Sequence, residues 1–108
     1  MEELRNQIIE GLKEIEDSKL EPLKRLTKSL ELYLKIKEYH RLLVAEAIMV
    51  SSAGLMYPCS EAVEAIDAST EKQKECLEFI ERYIKISKGI REELVKSNPE
   101  LNLEESLG

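Results

Sequence analysis

Between Pro22 and Gly54, the residues Leu23, Leu26, Leu30, Tyr33, His40, Val44 and Ala47 fall on one repeat of alternating three- and four-residue spacing, interrupted only by Lys37. That spacing returns to the same side of a helix and marks a packing seam. Pro22 suits a first helical turn, where its missing donor costs nothing, and Gly54 is the natural stop. A helix over residues 22–53 would be about 48 Å long, against the roughly 30 Å breadth of a compact chain of this size. This one element therefore dictates an elongated molecule whose other elements lie alongside it.

Two further helices are predicted. Over residues 2–16, Leu4, Ile8, Leu12 and Ile15 recur at helical spacing, Ile9 widens the stripe, and charges fill the other side. Over residues 59–96, Ala62, Ile66, Ser69, Gln73, Cys76, Ile80, Tyr83, Ser87, Ile90 and Leu94 hold the same repeat, with Glu61 and Glu64 favourably placed near the positive end of the helix dipole. Thr70 followed by Gln73 also reads as a capping box, which would break this helix near Ser69. Asp17 to Glu21 forms the first connection, Leu55 to Pro58 the second, and residues 98–108 an acidic tail after Asn98 and Pro99. With 43% hydrophobic residues, 4 glycines and 3 prolines, the composition is that of long helices with a real core. The expectation is an all-α, elongated, antiparallel three-helix up-down bundle with one short N-terminal helix, occupying residues 1–97 as a single domain.

The lengths do not balance. A first helix of half the length covers only the early part of the second helix and the late part of the third. The uncovered end carries the run Leu42, Leu43, Val44, Ala45, Glu46, Ala47, Ile48, Met49, Val50, apolar on nearly every side. Apolar surface of that extent drives association. The prediction is a homodimer in which two such ends form a four-helix bundle, with Leu42, Leu43, Ile48, Met49, Leu55 and Met56 in the contact. A turn centred near residue 56 would set His40 near Gln73 and Leu43 near Ser69, giving a buried polar seam of His40, Ser69 and Gln73.

Charge narrows the partners. The net charge is −6, with one Phe and no Trp, so neither an excess of positive charge nor an aromatic-interleaved basic patch invites nucleic acid. Residues 1–21 carry three bases against seven acids, and residues 22–50 six against three, which suits acidic and basic helices lying side by side. The row Lys24, Arg25, Lys28, Lys35 and Arg41 would thus pair with the first helix rather than grip a phosphate backbone. No leader pattern opens the chain and no apolar stretch is long enough to span a bilayer, so a cytoplasmic protein with reduced thiols and no membrane partner is expected. Cys59 and Cys76 on one helix would be about 25 Å apart, too far to bridge.

Candidate chemistry is sparse. No Ser-His-Asp set, Gly-rich phosphate loop or Glu-x-x-His pair occurs. Glu61, Glu64 and Asp67 stand three apart, followed by Glu71, and clustered carboxylates of this kind hold Mg²⁺ for phosphate chemistry. The spacing resembles the Glu-x-x-Glu and Glu-x-x-Asp motifs of the all-helical MazG-type nucleotide pyrophosphohydrolases. The likeness spans seven residues on one helix, whereas that family draws its metal ligands from two. It implies a metal-dependent phosphohydrolase, with Glu38 or Glu46 supplying the second helix. The reading that the residues favour is different: no cofactor, no catalytic set, and a homodimeric module that presents its faces to a protein partner.

Overall fold

The computed structural model describes residues 1–17, 19–56 and 60–97, without the side chains of 53–56. Three helices account for nearly all of them: α1 (Glu2–Glu16), α2 (Pro22–Met56) and α3 (Ser60–Ser97), with no strand among the described residues. The second helix continues beyond the expected stop, through Gly54 to Met56, because a glycine inside a helix costs only about 1 kcal/mol relative to alanine. The third is unbroken at the supposed capping box. There the Thr70 hydroxyl donates to the Ile66 carbonyl one turn back (2.9 Å) and leaves the helical ladder running. Tyr57, Pro58, Cys59 and the acidic tail lie outside the described residues. No described helix is long and apolar enough to cross a membrane.

The core is built where three helices meet. Ile8, Leu12 and Ile15 of α1 are completely buried, and they insert against Leu32, Ile36, Tyr39 and Leu43 of α2 and against Cys76, Phe79, Ile90 and Leu94 of α3. Gly11 lets α1 approach closely, since a Cβ there would lie 2.8 Å from Leu32 Cδ1. Two ion pairs tie the ends of α1 to α3. Arg5 holds Glu75 with two hydrogen bonds, the longer at 2.8 Å, and Arg82 holds Glu16 with two of 2.6 Å.

The buried row of α2 is not the row the repeat suggested. Arg25, Ser29, Leu32, Ile36, Tyr39 and Leu43 face inward, whereas Leu23, Leu26, Leu30, Tyr33, His40 and Val44 are exposed. Both rows have three-four spacing, and they lie about a third of a turn apart. The true core row is disguised by two polar residues, each satisfied in place. The Arg25 guanidinium donates to the Ile15 carbonyl (2.9 Å), capping the end of α1, and to Glu93 (2.9 Å). The Ser29 hydroxyl donates to the Leu26 carbonyl (2.7 Å), while its own carbonyl accepts from the Tyr83 hydroxyl (3.0 Å).

Contacts between α2 and α3 pair rising numbers with falling ones: Arg25 with Glu93, Tyr39 with Phe79, Glu46 with Lys72. These pairs sum to 118 rather than 112, so the level of His40 on α3 is near Glu78, not Gln73. The radius of gyration, 18.1 Å, exceeds the roughly 13 Å of a compact chain of this length, and the molecule measures 60 × 29 × 15 Å. A helix of 15 residues cannot shield neighbours of 35 and 38.

Candidate functional site

With α1 seated on one side of the α2–α3 pair, the opposite side stays open along its whole length. On α2 it carries Leu26, Leu30, Tyr33 and Leu34, then Val44 and Ile48, with Leu23 at its edge, where that side chain also borders the α1–α2 groove. Exposure is high for such large apolar groups, 60% for Leu30, 65% for Leu34 and 62% for Ile48. On α3 the same side carries Val63, Ile66, Leu77 and Ile84, again exposed, with Ile80 half-buried between them. Tyr33 and Tyr83 lean on one another across the pair, ring centroids 6.3 Å apart, and close the floor of this surface. Scattered exposed leucines are ordinary on any protein, but here two adjacent helices each bear a periodic row of large exposed apolar residues on the same side.

The expected dimer contacts divide. Ile48 lies on the open side, Met49 is 73% exposed nearby at the hairpin end, and Leu42 is half-buried. Leu43, at 2% exposure, belongs to the chain's own core and is unavailable to a partner. Leu55 and Met56 lie in helix α2, with side chains outside the described residues. Periodicity missed Leu34, Leu77 and Ile84, and it took the row Leu23 to Val44 for core. The available signal was that α2 has two apolar rows, one more than α1 and α3 together can cover.

The polar seam does not form. His40 is exposed in a shallow groove with Leu34, Lys37, Arg41 and Val44, one helical phase off the core row and level with a different part of α3 than expected. Gln73 is exposed beside Val44 and Ile48, its side-chain amide donating weakly to the buried Ser69 hydroxyl at 3.4 Å. The structure thus brings Ser69 and Gln73 together and leaves His40 apart.

Nor do the carboxylates converge. Glu61, Glu64 and Asp67 are all exposed, and since each step of three residues rotates about 60° short of a full turn, they wind away from one another around α3. Glu38 is engaged by Arg41 on its own helix, and Glu46 accepts from Lys72 (3.1 Å). No group of three or more metal-ligating side chains is found among the described residues. The basic row is occupied by local partners in part: Lys28 pairs with Glu14 of α1 (2.8 Å), Arg25 with Glu93, and Arg41 with Glu38. Lys24 and Lys35 border the same open α1–α2 groove as Glu10 and Glu14, a space of about 490 Å³ of mixed charge.

Titration follows these contacts. The Arg5 guanidinium holds the Glu75 carboxyl below its ordinary range, and Arg82 does the same for Glu16. Burial, reinforced by the negative charge of Glu75, pushes both the Tyr39 hydroxyl and the Cys76 thiol upward. A buried thiol pushed upward is a poor nucleophile, so Cys76 is core in its chemistry as well as its position. No family model, curated protein or solved structure matches the chain. The fold and this surface define a helical bundle protein whose most distinctive feature is an uncovered apolar side.

Proposed function

We propose that the chain is a homodimeric interaction module, three helices running up, down and up, whose open side is closed by a second copy. The observation that carries this reading is the exposure of Leu30, Leu34, Ile48 and Ile84 on one side of the α2–α3 pair. Its size fits. From Leu23 to Ile48 the α2 row is about 38 Å long, and two helices about 10 Å across make a patch of roughly 750 Å², close to the roughly 800 Å² each partner contributes to a stable interface. Burying it would create a four-helix layer from α2 and α3 of both copies, with each α1 on the outside. The pair so formed would be a rigid platform whose outer grooves remain free for another protein.

Sedimentation is the direct test. The full chain is expected at twice its own mass at micromolar concentration, and Leu30→Glu or Ile84→Glu at the single-chain mass with the α1-covered core intact. A wild-type chain that stays single at high concentration overturns the reading.

A further inference from the structure

The two open rows each have a centre of one kind flanked on both sides by residues of the other, and the centres lie at the same height. On α2 the apolar stretch Leu23 to Leu34 and the apolar positions Val44 and Ile48 flank a polar interval, Lys37 to Arg41, centred on residue 39. On α3 the order is reversed. An apolar centre of Leu77, Ile80 and Ile84 is flanked by Thr70 and Gln73 on one side and by Lys88 and Arg91 on the other; beyond these come Val63 with Ile66 and, at the far end of the same helical phase, Val95. Its midpoint falls near residue 80. Because Tyr39 packs against Phe79, that point is level with the midpoint of the α2 row.

From this pattern we infer that the second copy, the occupant proposed above, lies antiparallel, with α2 against the partner's α2, α3 against the partner's α3, and the twofold axis crossing near Tyr39 and Phe79. The inference rests on the homodimer reading and adds its orientation. A row whose centre is flanked alike on both sides matches itself when reversed. Leu30 then meets Ile48 of the partner subunit, Leu34 meets the partner's Val44, and on α3 Ile80 of the two copies meets at the axis, with Leu77 against the partner's Tyr83. Leu26 meets a small polar residue, the partner's Ser52, and at the far end of α3 Val63 meets the partner's Ser97.

The alternative twofold, with both hairpin ends pointing the same way, lays α2 on the partner's α3. The register between the helices then sets Leu34 opposite Ile84 and Leu23 opposite Val95, but Leu30 opposite Lys88, Leu26 opposite Glu92, Val44 opposite Lys74 and Ile48 opposite Thr70, so that most of the α2 row lies on polar groups. Burial without matching apolar area forfeits about 25 cal/mol per Å², so the reversed pairing wins.

Charge near the axis is balanced. Lys37 and Arg41 of each copy gather there, but Arg41 already holds Glu38 (Nε to Oε2 3.0 Å), and Glu81 stands on α3 at the level of Lys37. Four cations are thus met by four carboxylates. The arrangement also covers the weakest part of the fold: the end of each hairpin, where two helices lack a third, comes to rest on the partner's three-helix half.

Nitroxide labels decide the orientation. Lys24 is exposed and lies off the open side, so Lys24→Cys, with Cys59 and Cys76 changed to alanine, carries the label without entering the contact. In the antiparallel pair the two labels are separated by about 30 residues of helix rise, about 45 Å along the axis, whereas same-direction packing leaves them within about 30 Å across the bundle. As a second measurement that tolerates a perturbed fold, separately made Leu30→Cys and Ile48→Cys chains are mixed and oxidised. The expected result is a long label distance and a disulfide only in the mixture. A short distance, or crosslinking of Leu30→Cys with Lys88→Cys instead, overturns the orientation while the dimer stands. Single-chain sedimentation of the labelled and the wild-type protein alike overturns both.

Discussion

The half of the hairpin that α1 covers and the half that it leaves bare are made of the same two helices, yet only one has a core. From Arg25 to Leu43, every third or fourth residue of α2 is buried; beyond Leu43 on α2, and before Ser69 on α3, no described side chain is. Composition does not explain this, since the bare half includes the most apolar stretch of the chain. A pair of helices offers each other only one narrow line of contact, and a third helix is needed to turn that line into an interior. The difference teaches that this hairpin has an interior where a third helix lies against it, and none where its own chain supplies no third helix.

That contrast can be broken most severely from the covered side. Leu12→Ala removes a fully buried side chain from the three-helix junction and is expected to cost about 2–5 kcal/mol, read from the urea midpoint at fixed protein concentration. Ile48→Ala in the bare half should barely alter the unfolding of the separated chain, and should show its effect only as weaker association on dilution. Equal losses for the two variants in single chains would erase the distinction.

Hydrogen exchange sharpens it residue by residue. Amides of α2 from residue 44 onward and of α3 up to residue 68 are expected to lose protection on dilution or in Leu30→Glu, whereas those from Leu32 to Leu43 keep theirs. Protection that ignores concentration in the bare half would show that it is held by its own chain.

A smaller effect is expected at Arg25, the buried guanidinium that caps α1. Arg25→Met keeps the stem and strands the Ile15 carbonyl, for a loss of about 1–3 kcal/mol confined to the α1 junction and visible in thermal unfolding. Acid acts on the same junction. Glu16 and Glu75 have folded-state pKa values below their unfolded ones, so the stability they contribute is present above the ordinary carboxylate range near 4.3 and disappears as pH falls through the lower folded values. Replacing both with glutamine should flatten stability against pH below about 4.5, the modest change suited to partly exposed pairs. Smallest of all, Ser87→Ala is expected to be neutral or to stabilise by up to about 1 kcal/mol, because the Ser87 hydroxyl is buried without a hydrogen-bond partner.

Much of this molecule was legible in its sequence, and the exceptions have particular causes. Helix α1 reads directly, since Ile8, Leu12 and Ile15 form its only continuous apolar row. On α3 the repeat finds the buried Ser69, Cys76, Ile90 and Leu94, but it also takes in the exposed Ile66 and Gln73 and passes over the buried Phe79. On α2 the reading fails by one helical phase: Arg25 and Ser29 make the core row look polar, and Leu26, Leu30 and Tyr33 make the open row look like core. The carboxylates Glu61, Glu64 and Asp67 look clustered in a linear text and diverge in space, because proximity around a helix follows rotation and not count.

The number of helices, their lengths to within a few residues, the elongation and the shortfall of the first helix all follow from local spacing, breakers and the fixed rise of an α-helix. Which of the two apolar rows of α2 became the interior was decided only in three dimensions. That choice required α1 to dock through Gly11 and to have the Ile15 carbonyl of its last turn capped by Arg25, and such pairings between distant positions leave no trace in periodicity.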